Sequence, residues 1–507
     1  MPTYGFAIDL KKCIGCHACT IACKSEHDIP VGVNRCWVKT VEKGSFPDTQ
    51  RLFLPVLCNQ CEEAPCMKIC PTGALFRRND GIVDLNGDPC IGCKACMVAC
   101  PYDQLFIDPN TKTAEKCNFC ANRIENNLKP ACVSVCPTEC RIFGDLDDET
   151  SEIAQIVQRQ AFTVRKPEKG TGPKIFYLGA DDSIIQPEIA ARPFMFREGQ
   201  VHLRPLGSPD PDPNHPGDPR VDYDVPHKKA WGIDLVLYLL TKGISTGAMF
   251  LSALLFAFGD RTALTGFAGP MVAAIFAALT AVVLILDLER PERFLYILQR
   301  PNWSSWMTRG AFLLTGHGAL VSLWMLFWLL GWTTMMLVLV PLVLLVSFGA
   351  TAYTGLLFAQ GLARDLWQGP HSTFDLLAQA VAEGSAALLL VALFATHDAA
   401  TIRQLSWTLA IASSVHLFIL VLEHLLVPSA TLHHELAVRA IRQGAFKHMF
   451  WIGALGLGGV APIVLVTLAA LAGFPLTALA FTAIVSLAGG LAWEYVWVEA
   501  GQAVPIS

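Results

Sequence analysis

The sequence predicts a chain in two parts. An α+β, cysteine-rich head occupies residues 1–190, a proline-rich linker 191–230, and an all-α membrane domain of eight helices 231–507. Three observations predict this division. Sixteen cysteines between Cys13 and Cys136 fall into four spaced groups, and all eighteen lie before residue 141. Long apolar runs begin only after Trp231. Hydrophobic residues make up 53% and charged residues 16% of the 507, which depart in opposite directions from ordinary globular averages. The net charge of −5 gives no reason to expect nucleic acid as a partner.

The cysteine groups are Cys13, Cys16, Cys19, Cys23; Cys58, Cys61, Cys66, Cys70; Cys90, Cys93, Cys96, Cys100; and Cys117, Cys120, Cys132, Cys136. The first and third read C-x2-C-x2-C-x3-C, and the second and fourth lengthen one gap. Three of them run on into Pro71, Pro101 and Pro137. A cubane cluster takes four thiolates; a tight triad supplies three, and in two-cluster ferredoxins the fourth cysteine serves the other cluster. Four complete groups therefore predict four 4Fe–4S clusters in two reciprocal pairs, on a duplicated ferredoxin-like head. A zinc ribbon would leave the third cysteine of each triad surplus. A disulfide framework belongs to small secreted domains, and the N-terminus, MPTYGFAIDLKKC, has neither an apolar h-region nor a twin arginine, so no export signal is expected.

The stretches KKCIGCHACTIACK, CNQCEEAPCMKICPTGALFR, CIGCKACMVACPY and KCNFCANRIENNLKPACVSVCPT resemble the iron–sulfur subunits of molybdopterin oxidoreductases of the dimethyl sulfoxide and polysulfide reductase type, over about the first 180 residues. The resemblance implies these ligand sets: Cys13, Cys16, Cys19 and Cys136; Cys117, Cys120, Cys132 and Cys23; Cys58, Cys61, Cys66 and Cys100; Cys90, Cys93, Cys96 and Cys70. It also implies a catalytic partner that is a molybdenum or tungsten bis-pterin enzyme. No ligand is replaced, as happens in relatives with a 3Fe cluster. Cys140 stands where relatives commonly have a small residue, and Cys36 is extra. Both read as buried free thiols, because free cysteine packs as a small hydrophobe.

The head contains no P-loop, no Rossmann glycine fingerprint and no nucleophile elbow, so no substrate-side catalytic residue is expected in this chain. Residues 147–162 read as a surface helix capped by Asp147 or Asp148, and IFYLG, from Ile175, as a short strand. Seven prolines between Pro205 and Pro226 predict an extended spacer across the joint between head and membrane.

Spanning segments are expected at 231–258, 266–288, 306–330, 332–360, 374–396, 405–427, 449–472 and 475–498, each near or above the ~20 residues a bilayer core requires. An even number puts both ends of the domain on one side. That side carries Lys228, Lys229, Arg290, Arg293, Arg300, Arg309, Arg364, Arg439, Arg442 and Lys447, against Arg261 and Arg403 on the other. The positive-inside bias predicts an inner-membrane protein with a cytoplasmic iron–sulfur head, unlike those relatives whose head is periplasmic. The GALGLGG run from Gly453 reads as close helix packing. An ungapped offset of 134 residues aligns Glu289 with Glu423, Gly310 with Gly444, Pro341 with Pro475 and Gly355 with Gly489, which predicts two four-helix repeats about an axis along the membrane normal.

The segment LDLERPERFLYILQRPNWSSWMTRGAF, from Leu286, resembles the polysulfide reductase (NrfD-type) membrane subunits, which implies a haem-free anchor that exchanges electrons with menaquinone or ubiquinone. Such a site needs an apolar slot, hydrogen-bonding groups for the ring oxygens and titratable groups for two protons. Candidates at the cytoplasmic helix ends are Asp234, Tyr238, Asp287, Arg290, Trp303, Arg309, Glu423, His424 and Glu494, although arginine and tryptophan at such depths also serve as plain interfacial anchors. Deeper, Lys242, His317, Glu383 and His416 are candidates for a proton path, since ionisable residues inside a membrane are expensive. Lys242 and Glu383 could instead form a structural ion pair, and His317 with His416 could ligate a haem, though haem anchors usually use paired histidines.

Together these features predict the electron-transfer and membrane-anchor subunit of a respiratory, quinone-linked oxidoreductase. The alternatives are a proton-translocating subunit of a larger redox complex, and the anchor of a hydrogenase or a thiol-disulfide reductase.

Overall fold

The computed structural model describes residues 2–190, 218–226, 228–395 and 398–507. Most of the expected linker, 191–217, lies outside the described residues. Strand β1 (Tyr4–Asp9) is the centre of one sheet, antiparallel to β8 (Arg141–Asp145) and parallel to β9 (Ile175–Leu178). β9 is the strand expected from IFYLG. A second sheet has the order β10–β2–β3, from β2 (Cys36–Ser45), β3 (Asp48–Leu57) and β10 (Arg220–Tyr223). Two hairpins, β4 (Leu75–Arg77) with β5 (Val83–Leu85) and β6 (Phe106–Ile107) with β7 (Ala114–Glu115), complete the strands of the described residues.

β10 corrects the linker expectation. The stretch RVDYDV alternates apolar and polar residues, which suits a strand with one buried face; Val221 and Val225 are buried, and the Trp37 indole donates to Asp224 Oδ1 at 2.9 Å. The surface helix also differs from expectation. It runs over Glu152–Arg159, and its cap is Ser151, whose hydroxyl accepts from the Ala154 N–H. Asp148 is engaged earlier, accepting from Thr150 in an Asx turn, which competes with capping.

Each cysteine group begins in a loop and ends on a short helix: Ala18–Glu26, Pro65–Ile69, Ala95–Ala99, and Ala121–Ile124 with Ala131–Ser134. The loop must curl tightly, and Gly15 and Gly92 take φ of +68° and +67° to do so. Cys70 and Cys100 end their helices with ψ of 116° and 108°. The proline that follows each forces this, since a residue before proline is driven out of the helical region. The proline thus turns the fourth cysteine away from its own triad.

Among the described residues, eight helices are long and apolar enough to cross a membrane: Ile233–Ala257, Leu264–Leu286, Trp306–Leu329, Thr333–Ala359, Ser372–Val391, Ala399–Leu426, Met449–Leu471 and Leu476–Ala503. They match the eight expected spans, with the sixth beginning earlier and the eighth ending later. The first and fifth are the innermost, and pack at small residues; a side chain on Gly247 would meet the Gly384 Cα at 3.0 Å. Gly458, in the GALGLGG run, likewise lies against the backbone of Gly489. The second, fourth and eighth helices end against the head, so the head lies on the side that carries the ten basic residues.

The ungapped 134-residue register is not reproduced by the helices. Pro341 lies inside the fourth helix, whereas Pro475 precedes the eighth as its cap; Gly310 is within the third helix, whereas Gly444 lies in the turn before the seventh. Apolar helices rich in glycine and proline match at many offsets, and these matches fall at different heights.

Candidate functional site

The cysteines converge into four sets of four. One hollow is lined by Cys13, Cys16, Cys19 and Cys136, a second by Cys58, Cys61, Cys66 and Cys100, and a third by Cys70, Cys90, Cys93 and Cys96. In the fourth set, Cys117 is neighboured by Cys23, Cys120 and Cys132. Each set therefore takes its last cysteine from another group, as reciprocal ferredoxin pairing requires. Helix Ala18–Glu26 packs on Ala131–Ser134, joining two sets, and Pro65–Ile69 packs on Ala95–Ala99, joining the other two. Cys117 also lies close to Cys58, which links the pairs into one series. Among the described residues, no group of three or more His, Cys, Asp or Glu side chains is drawn tightly enough to hold a single metal ion. The donor sets of four thiols, with the fourth in each drawn from another group, fit iron–sulfur clusters.

Cys16 is exposed, Cys13, Cys93 and Cys136 are partly so, and the remaining members of the four sets are buried. The set at the opposite end of the series is Cys70, Cys90, Cys93 and Cys96. It rests on the 287–305 loop, which grips it with hydrogen bonds to backbone carbonyls. Asn302 Nδ2 donates to Cys70 O at 2.7 Å, Ser305 Oγ to Ile69 O at 2.6 Å, and Arg293 Nη1 to Gly87 O at 2.7 Å and Cys90 O at 3.1 Å. The helix that follows adds Thr308 Oγ1, which donates to Pro71 O at 2.9 Å. Arg290 belongs to this collar, donating to Thr111 O at 2.9 Å. A side chain on Gly92 would stand 2.6 Å from Glu289 Cβ, so glycine is what lets head and membrane domain close together.

Directly beneath lies a cavity of about 290 Å³ between the first four spanning helices. Cys93 and Ile91 form part of its roof, so this cysteine faces both its own hollow and the cavity. Most of the wall is apolar, with Leu235, Leu284, Leu314 and Leu357. The polar groups are few: Tyr238, Lys242, Tyr353 and Asp287, with small hydroxyls nearby. Tyr238 and Tyr353 share a short hydroxyl–hydroxyl hydrogen bond, Tyr238 is 2.9 Å from Thr354 Oγ1, and Lys242 Nζ donates to Thr354 Oγ1 at 2.7 Å. Asp287, at the rim, accepts from Lys94 Nζ at 2.9 Å. Burial pushes its carboxyl above the ordinary aspartate range, and the Lys94 ammonium opposes that rise.

Of the quinone candidates, the structure brings Tyr238 and Asp287 to this cavity, with Lys242 from the proton-path set. Asp234 is exposed close to Asp287. The others lie elsewhere. Arg290 is in the docking collar; Trp303 is 54% exposed and stacks on Phe312; Arg309 lies over the Trp306 ring and donates to Trp303 O. Glu383 and Glu494 are buried within reach of each other and of Lys242, between the first, fifth and eighth helices. His416 Nδ1 meets Asp375 Oδ1 at 2.6 Å, while Trp493 and Gln379 both donate to Asp375 Oδ2. His424 packs against the Trp493 and Phe450 rings, and Glu423 lies beside Gly369. Both nitrogens of His317 are engaged, by Ser245 at 3.1 Å and Ser347 at 3.2 Å. Tyr353 and Asp375 escaped the sequence reading. An aspartate near the start of the fifth apolar run was a visible signal; a tyrosine in a spanning helix was not.

The profile of the polysulphide reductase NrfD family matches residues 224–506, and that of a 4Fe-4S dicluster domain matches 49–146. A tetrathionate reductase subunit of Salmonella typhimurium is 44% identical over 200 residues, covering 38% of this chain and 80% of the relative. A polysulfide reductase chain of Wolinella succinogenes is 44% identical over 180 residues, covering 34% and 93%. The arsenate respiratory reductase iron-sulfur subunit ArrB of Shewanella is 36% identical over 222 residues, covering 34% and 95%. The chain therefore belongs to the polysulphide reductase NrfD family, as a multi-pass membrane protein whose 4Fe–4S head transfers electrons and whose helices anchor it.

Proposed function

We propose that this chain carries electrons through four 4Fe–4S clusters between a catalytic subunit and a quinone held in the cavity beneath Cys93. The ligand sets are Cys13, Cys16, Cys19, Cys136; Cys23, Cys117, Cys120, Cys132; Cys58, Cys61, Cys66, Cys100; and Cys70, Cys90, Cys93, Cys96. The single observation that carries the reading is that Cys93 lines both the innermost thiol hollow and the apolar cavity. A quinone supplies two-electron, two-proton chemistry. For such a ligand, Tyr238 and Tyr353 offer hydroxyls, Lys242 Nζ carries a proton at the cavity wall, and Asp287 sits at its rim beside Lys94. The leucine walls exclude water and suit an isoprenoid tail.

The relatives are subunits of tetrathionate, arsenate and polysulfide reductases by their names. A catalytic partner of the molybdenum or tungsten bis-pterin class would then dock at the exposed end of the series, around Cys16 and the 58%-exposed Ile14. The ten basic residues on the head side support a cytoplasmic head in the inner membrane. The central pairing of the first and fifth helices is what two four-helix repeats about a membrane-normal axis would produce.

A second reading, proton translocation, is favoured by one observation. Lys242 lines the cavity and has buried Glu383 and Glu494 as neighbours, and Asp375, the partner of His416, lies on the same helix as Glu383. The test of the main reading is EPR of the purified complex with and without a quinol-site inhibitor. Four cubane signals, one of them perturbed by the inhibitor, are expected. Fewer than four clusters, or no perturbation of any, would overturn it.

A further inference from the structure

The outermost thiol set, at the partner-facing end, is surrounded by groups that the ligand pattern does not require. Arg141 is the first residue of β8, held opposite Ile8 of the central strand β1. The turn after Cys136 brings it back so that it lines the hollow of Cys13, Cys16, Cys19 and Cys136. It is only 3% exposed, and no ion pair with a carboxylate is formed by it among the described residues. Its Nη2 donates to Cys36 Sγ at 3.1 Å, while its Nη1 is buried without a hydrogen-bond partner. Cys19 and Cys132, ligands in two different sets, are both within its electrostatic reach, so the guanidinium stands between the outer two sets.

The two extra cysteines complete the arrangement. Cys36 neighbours Cys19, and Cys140 Sγ is 3.5 Å from Cys136 Sγ and also neighbours Cys13. Accepting from Arg141 leaves the Cys36 S–H free to point at Cys19. The two extra thiols thus place S–H groups beside ligand sulfurs of a single set, next to a buried positive charge.

On the four-cluster reading above, we propose that Arg141, with Cys36 and Cys140, is a donor shell that raises the reduction potential of the cluster held by Cys13, Cys16, Cys19 and Cys136. Hydrogen bonds to cluster and ligand sulfurs, and a nearby positive charge in a low-dielectric site, favour the state with one more electron. Arg141 exchanges neither electron nor proton; it positions charge. The outer cluster then acts as the electron-holding end of the series, and its immediate neighbour feels the same charge more weakly through Cys132.

The test is redox-poised EPR on the full chain in membranes with its bound subunits, with the outer signal identified by its alteration in Cys16→Ser. In Arg141→Gln, the ratio of reduced to oxidised outer cluster at fixed potential is expected to fall at least about tenfold, or ~59 mV for one electron. The two inner clusters stay put, and Arg141→Lys recovers part of the loss. Four intact signals with an unmoved outer midpoint, or an equal shift in all four, overturn the proposal. Should Arg141→Gln not assemble, Cys36→Ala and Cys140→Ala decide: a fall confined to the outer cluster in either supports it, and none in both overturns it. Loss of all cluster signals and iron from the parent chain is a different result, which sinks the four-cluster reading itself and the inference with it.

Discussion

The indole N–H of Trp231 donates to the backbone carbonyl of Cys93 at 3.2 Å. This bond crosses from the first residues of the membrane domain to the loop that roofs the cavity, and Trp231 also lines that cavity. Trp231→Phe keeps most of the packing against Phe358 and Trp367 and removes only the donor. Loss of one such bond is worth about 1 kcal/mol, so cluster content should survive while the inhibitor-induced change in the innermost EPR signal weakens or disappears. An unchanged inhibitor response would separate this tryptophan from the electron path.

Tyr238→Phe and Lys242→Met should each lower quinol-linked turnover by about 10²–10⁴-fold, the usual reach of a positioned proton donor or acceptor. Reduction of the clusters by a small soluble dye should stay within about twofold, because neither side chain touches the head. Parallel assays with quinol and with dye make the comparison, and equal losses in both would indicate misfolding.

Glu383→Gln and Glu494→Gln distinguish electron transfer from proton translocation. Each removes a buried carboxyl beside Lys242 and retains its shape. If the pair forms a proton route, proton release by vesicles containing the complex is expected to stop while uncoupled quinol oxidation continues. A fall of both activities together would confine the pair to a structural role.

Arg293→Ala deletes the donor to Gly87 O and Cys90 O. Hydrogen bonds from a charged donor are worth about 1.5–3 kcal/mol, here spent on the joint. The head should loosen from the membrane domain first at the innermost cluster, seen as faster loss of that EPR signal on incubation with an iron chelator. Gly92→Ala should act in the same place and more severely. It combines a strained φ with a 2.6 Å approach to Glu289 Cβ, and replacement of this one glycine is expected to lower the recovery of intact complex.

The parts legible in the sequence were those written locally. Cysteine spacing is set by what a short loop can reach, and a proline after the last cysteine redirects it; both act within one stretch of chain. Hydropathy of the eight spans is local too. Arg290, Trp303 and Arg309 lie away from the cavity, and arginine and tryptophan at a helix end serve docking, anchoring and ligand binding alike. Their acceptors, such as Thr111 O and Trp303 O, are backbone carbonyls that no composition announces. Tyr353 was hidden, and Asp375 visible without a role, for a related reason. Their meaning comes from partners far along the chain, Tyr238 in one case and His416 and Trp493 in the other. The repeat register failed where glycine and proline recur by composition.

Strand β10 has one more implication. It is contributed by the stretch that immediately precedes the first spanning helix, yet it hydrogen-bonds along the edge of β2. A head cut off at residue 190 would bare that edge, and exposed edges recruit other strands. The head therefore borrows part of its own architecture from the tether, and two separately translated polypeptides would have to restore it by strand exchange between molecules. Fusion here makes the tether a piece of the folded head, so that folding of the soluble part awaits synthesis of the approach to the membrane.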